Sequence, residues 1–309
     1  MREDRNSEST GPSRRVPLIA AFMSATLPGF GQLYNGQINR ALKFYLVFCL
    51  IGIPLTAMVT LFLPVRFMVI VLAVVTALTL GVWIFGIIDA WKTARGQSSF
   101  IIRPWQTGSV YLSVFLICGL ILLPLMTFYV RDHHVQAFRI ASRSMMPSVQ
   151  PGDFIFANKS YNCPSCRHSI KRGDIALFVF PNNRNLVYVK RIIGVPGDVV
   201  SSTEGVITIN DVALSSSALT DTTVATTESM DGRFWTVNSS NELTDFSTQV
   251  KPGHVFVLGD NRTRSKDSRF FDQVPMADVV GRAQQIWLSK GEKGFRWGRF
   301  GMSLVPPEY

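Results

Sequence analysis

The chain has 309 residues, of which 47% are hydrophobic, with a formal net charge of +10 and a sequence pI near 9.7. A mean hydropathy of +0.21 is high for a wholly soluble protein, and the length leaves room for two or three domains. No run of five or six like charges is present, so a basic tail for nucleic acid is excluded; the positive balance fits residues flanking membrane segments near anionic lipid, and no nucleic-acid partner is expected.

Residues 1–15 are polar, lack the apolar run of a cleavable signal and are expected to form a flexible cytoplasmic tail. Val16 to Phe30 is apolar but too short to span, and Pro28-Gly29 interrupts it; an interfacial or re-entrant segment is predicted over 16–37. No charged residue occurs from Phe44 to Val65, from Phe67 to Ile88 or from Pro104 to Val130. As helices these stretches are long enough to cross a hydrocarbon core, which takes about 20 residues. Transmembrane helices are predicted over 41–63, 67–90 and 105–130, with Cys49 and Cys118 as inert packing residues inside them. Arg14, Arg15, Arg40 and Lys43 precede the first span, and Lys92, Arg95 and Arg103 separate the second from the third, while only Arg66 lies between the first two. Positive-inside counting puts the N-terminus in the cytoplasm and everything after Arg131 on the outer side. Asp89 sits at a span end, where snorkelling to the interface is the plain reading.

From Val135 the texture changes to short β-rich runs, DFIFANK, DIALFVF, LVYVKRIIGV, GVITIND and HVFVLGD, separated by Pro, Gly and Asn turns. DIALFVF is apolar almost throughout, as a strand buried on both faces would be, and GVITIND alternates like a half-exposed hairpin strand. An antiparallel all-β domain is predicted over 135–290, with a Ser/Thr-rich surface excursion at about 213–251 and a tail at 291–309. Cys163 and Cys166 form a C-x-x-C in a polar loop, half of a zinc site; His168 is a third candidate, and no convincing fourth ligand appears. On the oxidising side of a membrane a local disulfide is the leading reading, with free thiols and metal as alternatives, and no metal or other cofactor is expected to take part in the chemistry.

Histidine is scarce: His133 and His134 adjoin the membrane exit, His168 sits in the Cys loop and His254 precedes a strand. A hydrolase on this chain would need another base, whether a carboxylate pair, a metal or a lysine, and no H-E-x-x-H is present. In Ser142-Arg143-Ser144-Met145-Met146-Pro147, the proline predicts a rigid extended turn holding a hydroxyl in one direction, with two exposed methionines beside it. In the strand around Tyr188-Val189-Lys190-Arg191-Ile192, alternation sets Tyr188, Lys190 and Ile192 on one face. A lysine on a buried face must lose its charge or find a partner, and desolvation lowers its pKa. Taken singly, the first motif is an ordinary turn and Lys190 an edge lysine.

Together the motifs carry more. SRSMMP, KRGDIALF (171–178), YVKRIIGVPGD and GDNRTRSKDSR (259–269) resemble, in order and spacing, the bacterial type I signal peptidases. That resemblance implies a mostly antiparallel β domain, and cleavage of secretory signal peptides after Ala-x-Ala-like ends at the bacterial inner membrane. It also implies Ser144 as nucleophile, Lys190 as general base, Ser142 and Ser144 as the oxyanion hole, Ser265 as the residue orienting the lysine, and Arg191, Asp260, Asp267 and Arg269 as structural support. Tyr188, Ile192 and Met145 are the candidates for the substrate pocket. LPGFGQLYNGQ (27–37) and IIDAWKTAR (87–95) resemble the two ends of a small module with two transmembrane helices, with no chemistry implied. The expected partners are secretory preproteins, the lipid bilayer and the secretion channel. Departures from the pattern are Ser148-Val149, where Thr-Leu is frequent, Thr263-Arg264, where Asp-Asn is common, and Arg143 between the two serines. A serine–lysine autoprotease of the SOS-repressor type is disfavoured by the three apolar runs, and a signal-peptide receptor without activity by the intact serine and lysine.

Overall fold

A computed structural model describes residues 14–63, 65–161, 170–218, 225–238 and 244–306. The first thirteen residues of the expected tail and the Cys163–Cys166 loop with His168 lie outside these ranges. The chain falls into two compact units, a helical one comprising residues up to Val59 together with Met68–Val130, and a β-rich one from Arg131 onward to which Thr60–Phe67 is also assigned.

In the helical unit, Pro17–Thr26 (α1) begins with the proline at its first turn, where the missing N–H costs nothing. It stops before Pro28-Gly29, and Gly29, at φ +88°, turns the chain into the short helix Phe30–Tyr34 (α2). Three helical segments follow, Ile38–Val59 (α3), Phe67–Gly96 (α4) and Gly108–His133 (α5), each long and apolar enough to cross a membrane. They lie over the three stretches expected to span, 41–63, 67–90 and 105–130, with ends that differ by several residues. The G-Q-x-Y-x-G text acquires a packing reason: Gly31 sits so close to the Ala20 carbonyl that a Cβ has no room. Gln32, fully buried, donates to the Gly86 carbonyl at 2.7 Å and to Asp89 at 3.1 Å, and Asn35 donates to the Ala90 carbonyl at 2.7 Å. Asp89 also lies 3.6 Å from Arg40. Buried amide donors that would be costly to leave unpaired thereby find acceptors on the facing helix.

In the β unit the strands are Val135–Arg139 (β1), Asp153–Asn158 (β2), Ile175–Val179 (β3), Val187–Gly194 (β4), Val199–Thr203 (β5), Val206–Ile209 (β6), Ala225–Met230 (β7), Arg233–Asn238 (β8), Phe246–Gln249 (β9), His254–Leu258 (β10) and Val279–Gly291 (β11). The principal sheet runs β1-β2-β11-β3-β4-β10 and ends on the short strand Val274–Pro275; every pairing in it is antiparallel. β9, β5 and β6 form part of a second sheet, and β7 and β8 of a third. As its sequence predicts, β3 is buried on both faces: Ala176 and Phe178 enter one core cluster with Ile192, Val257 and Val274, and Ile175 and Leu177 another with Ile155, Ala283 and Ile286. β6 alternates, with Ile207 and Ile209 inward and Val206 exposed.

Two expectations are corrected. The described part of 213–251 is not a surface excursion: Arg233, Trp235 and Val237 alternate inward along β8, and Trp235 packs with Ile193, Val200 and Leu258. The abundance of Ser and Thr masks this period of two. Likewise, residues beyond 291 are no free tail. Arg296 and Arg299 converge on Asp153, a fully buried carboxylate, at 3.3 and 2.7 Å, and Leu304 joins the core. Ser289 Oγ and the Gln150 N–H also donate to Asp153, so its charge is fully compensated.

Removing one partner from such a buried arrangement strands the other charges, at a cost of roughly 3–5 kcal/mol. Asp153→Ala is therefore expected to lower stability by about 3 kcal/mol in denaturant unfolding of the detergent-solubilised chain, with hydrogen exchange rising first across 296–304. Unchanged protection of that segment would show that the carboxylate does not hold it.

Candidate active site

Ser144 lies in the loop between β1 and β2. Ile140 anchors the start of that loop, donating to the Asp153 carbonyl and accepting from the Gly152 N–H, both at 2.8 Å. The extended turn expected from Pro147 is instead a compact loop, closed by bonds from Met146 N–H to the Arg143 carbonyl (3.2 Å) and from Val149 N–H to the Met145 carbonyl (2.8 Å); the Met146–Pro147 peptide is cis. Met145 and Val149 plug the loop into the core beneath it. From the other side, Asn261 donates its backbone N–H to the Ser144 carbonyl (3.0 Å) and its side-chain amide to the Arg143 carbonyl (3.2 Å). The nucleophile candidate is thus held through its own backbone and both flanks, and it is 6% exposed.

Lys190 is near the middle of β4, directly opposite Ala176 of β3. It shares a face with Tyr188 and Ile192, as alternation predicts; its Nζ lies 5.7 Å from the Tyr188 ring centroid and 2.5 Å from Ser144 Oγ. With 3% exposure the amine has almost no contact with water. Burial lowers its pKa from 10.5 to about 8, against the pull of Asp267 and Asp260 and with some help from Arg269. The two carboxylates that pull the other way are themselves paired. Asp260 is held by Arg191 at 2.6 and 2.7 Å, and Asp267 by Arg269 at 2.7 and 2.8 Å, so each negative charge already faces its own guanidinium.

Arg191 points to the opposite face of β4, where it also donates to the Gly173 carbonyl (2.7 Å) and to Ser148 Oγ (3.2 Å) and lies 5.1 Å from the Trp235 ring centroid. Asp267 caps the short helix Ser268–Phe271 (α6) and accepts from the Gly259 N–H at 3.0 Å. Four predicted support residues therefore form two buried ion pairs immediately around the amine.

Ser142 Oγ accepts a hydrogen bond from the Ser144 N–H at 3.2 Å, which brings the two expected oxyanion donors together. Ser265 Oγ is buried without a hydrogen-bond partner, against Gly259 and beside the Ser144 carbonyl; the expected bond to Lys190 is not formed in this arrangement. Gly259 is required there, since a Cβ would collide with both Ser265 and that carbonyl. Of the pocket candidates, Tyr188 is half-buried and stacks on Phe180 at 4.3 Å. Met145 and Ile192 are corrected: at 2% and 0% exposure they are core residues and offer no surface to a ligand. Sequence reasoning missed Asp174, which joins Arg233 (3.0 Å) and Tyr161 (2.7 Å), and the buried Glu228, which takes Arg262 (2.5 Å) and Trp235 Nε1 (2.9 Å). Asp174 stood within the KRGD motif, but nothing local marked Glu228. Among the described residues no cluster of His, Cys, Asp and Glu is arranged to hold a metal.

A hydroxyl touching a buried amine of lowered basicity, with two further donors beside it, is equipment for acyl transfer through serine. The family described as "Signal peptidase, peptidase S26" matches residues 109–288. A signal peptidase I of Pseudomonas fluorescens is 32% identical over 189 residues, covering 52% of this chain and 66% of the relative, just under two thirds of its length. One of Bacillus caldolyticus is 35% identical over 153 residues, covering 49% and 79%. A crystal structure of a signal peptidase I from Enterococcus faecalis V583 aligns with a TM-score of 0.28 at 30% identity, covering 37% of this chain and 96% of that one. This chain belongs to the signal peptidase family, peptidase S26.

The lowered lysine pKa fixes the sign of two pH effects. With Lys190 as the base for Ser144, reactivity of Ser144 toward a serine-directed acylating reagent is expected to rise with pH through a midpoint near 8. Between about 8 and 10.5 the unfolded chain binds more protons at this residue than the folded one, so its contribution to stability improves as pH rises across that window. A labelling profile flat from pH 6 to pH 10 would remove Lys190 as the group controlling Ser144.

Proposed function

We propose that this chain is a membrane-bound serine endopeptidase that removes N-terminal signal peptides from secreted preproteins after small, Ala-x-Ala-like residues, with Ser144 as nucleophile and Lys190 as general base. The observation that carries the reading is the 2.5 Å contact between a buried amine and a serine hydroxyl. In the neutral form, the Lys190 lone pair accepts the Ser144 proton as Oγ attacks the scissile carbonyl carbon. The Ser144 N–H, turning away from Ser142 Oγ, and the Ser142 hydroxyl then donate to the developing oxyanion, each such donor being worth roughly 3 kcal/mol. Lysine returns the proton to the leaving amine, and water, deprotonated by the same amine, releases the acyl group.

The substrate lies extended along a strand edge, as protease substrates commonly do, and small pockets exclude larger side chains. The helices α3, α4 and α5 anchor the enzyme in the bacterial inner membrane with the N-terminus in the cytoplasm and the β unit on the outer side. Basic residues at the cytoplasmic ends support that orientation. Preprotein and protease then meet in two dimensions, which raises effective concentration. The helical module is read as anchor, and as the part available to the secretion channel.

A preprotein with an Ala-x-Ala junction, incubated with the full chain in detergent, tests this. Ser144→Ala and Lys190→Ala should each lower kcat by on the order of 10³-fold or more, because a nucleophile and its base act as one unit. Wild-type turnover by either variant would end the assignment.

A further inference from the structure

Beside the nucleophile loop the β unit opens into a cleft of about 1420 Å³. Its lining contains Arg139, Arg143, Arg264, Lys290 and Lys293, none of which has an ion-pair partner among the described residues. The sixth cation, Arg296, is engaged by Asp153, and Glu292 is the single carboxylate in the lining. Like charges gathered in one concavity repel one another and focus their field outward into it, so the arrangement is costly unless something negative enters.

The position of the cleft narrows the occupant. Arg143 immediately precedes Ser144 and Arg264 immediately precedes Ser265. Asn261, which also lines the cleft, is the residue that grips the Ser144 carbonyl. A polypeptide advancing about 3.3–3.6 Å per residue from a scissile bond at Ser144 reaches this wall within a few residues. A lipid phosphate would meet the same cations, but a wall continuous with the nucleophile loop favours a chain already held at Ser144. Arg264 also stands where the related motif commonly carries an uncharged residue, and adds one positive charge to the cleft.

We propose that this cleft binds acidic side chains of the polypeptide substrate near the scissile bond and selects for them. The proposal rests on the peptidase reading, and its test separates the two. Two internally quenched peptides share an Ala-x-Ala junction; one carries Asp at three flanking positions and the other carries Asn. With the full chain in zwitterionic detergent, kcat/KM for the Asp peptide should exceed that for the Asn peptide about tenfold at low salt, about 1.4 kcal/mol. The ratio should approach one at about 0.5 M salt, where the screening length falls to a few ångströms. In the Arg264→Gln, Lys293→Gln double variant the ratio, measured within that enzyme, should fall to about one at low salt.

A wild-type ratio of one, or a ratio that the double variant leaves unchanged, overturns the proposal while cleavage itself leaves the peptidase reading standing. If the double variant loses binding to phosphatidylglycerol vesicles and the wild-type ratio is one, the occupant is lipid and the proposal falls. If neither peptide is cut, the peptidase reading fails, and fluorescence anisotropy with the two labelled peptides decides the cleft: about tenfold tighter binding of the Asp peptide, lost in the double variant, supports it, and equal affinities overturn it.

Discussion

The basicity of a buried amine depends on how far water is excluded and on how the charges near it are balanced. At Lys190, burial lowers the pKa to about 8 against the pull of Asp267 and Asp260. The sheet that removes it from solvent also brings Asp260 and Asp267 close, and both carboxylates raise the pKa that burial lowers. Arg191 and Arg269 each clamp one of them through two short bonds, and Arg269 itself adds to the lowering. Both ion pairs are buried, so removing one partner of either would strand the other charge close to the amine.

Strand β4 makes this economical. Because side chains alternate, consecutive residues place the amine on one face and its insulating guanidinium on the other. The β10–α6 connection supplies both acids, the serine that lies against Gly259, and, through Asn261, the grip on the nucleophile's backbone. Two segments distant in sequence thereby share one short stretch of chain as their reference, so the serine and the lysine keep their spacing even if the loop ends move.

Much of this was legible without coordinates. Apolar runs marked the three long helices, the continuous apolarity of DIALFVF marked a strand buried on both sides, and the four motifs marked Ser144 and Lys190. What escaped had physical reasons. A proline announces a turn but not whether the residues around it curl, so Met145 looked exposed when it is a core plug. Ile192 shares a face with Lys190, yet alternation cannot say whether a face meets a groove or the interior. Ser and Thr are compatible with loops and with strands, and hid the inward set of β8. Glu228 and Arg262 pair across 34 residues of sequence, and no local pattern encodes that.

The indole of Trp235 illustrates what such hidden contacts imply. It leans on Gly173, where a Cβ would come within 2.8 Å, faces Arg191, and donates to Glu228. The β7–β8 hairpin is consequently a roof over the ion pair that guards the lysine. Anyone transplanting this hairpin between homologous scaffolds must carry across a flat aromatic ring, a matching glycine beneath it and an acid behind it as one cassette.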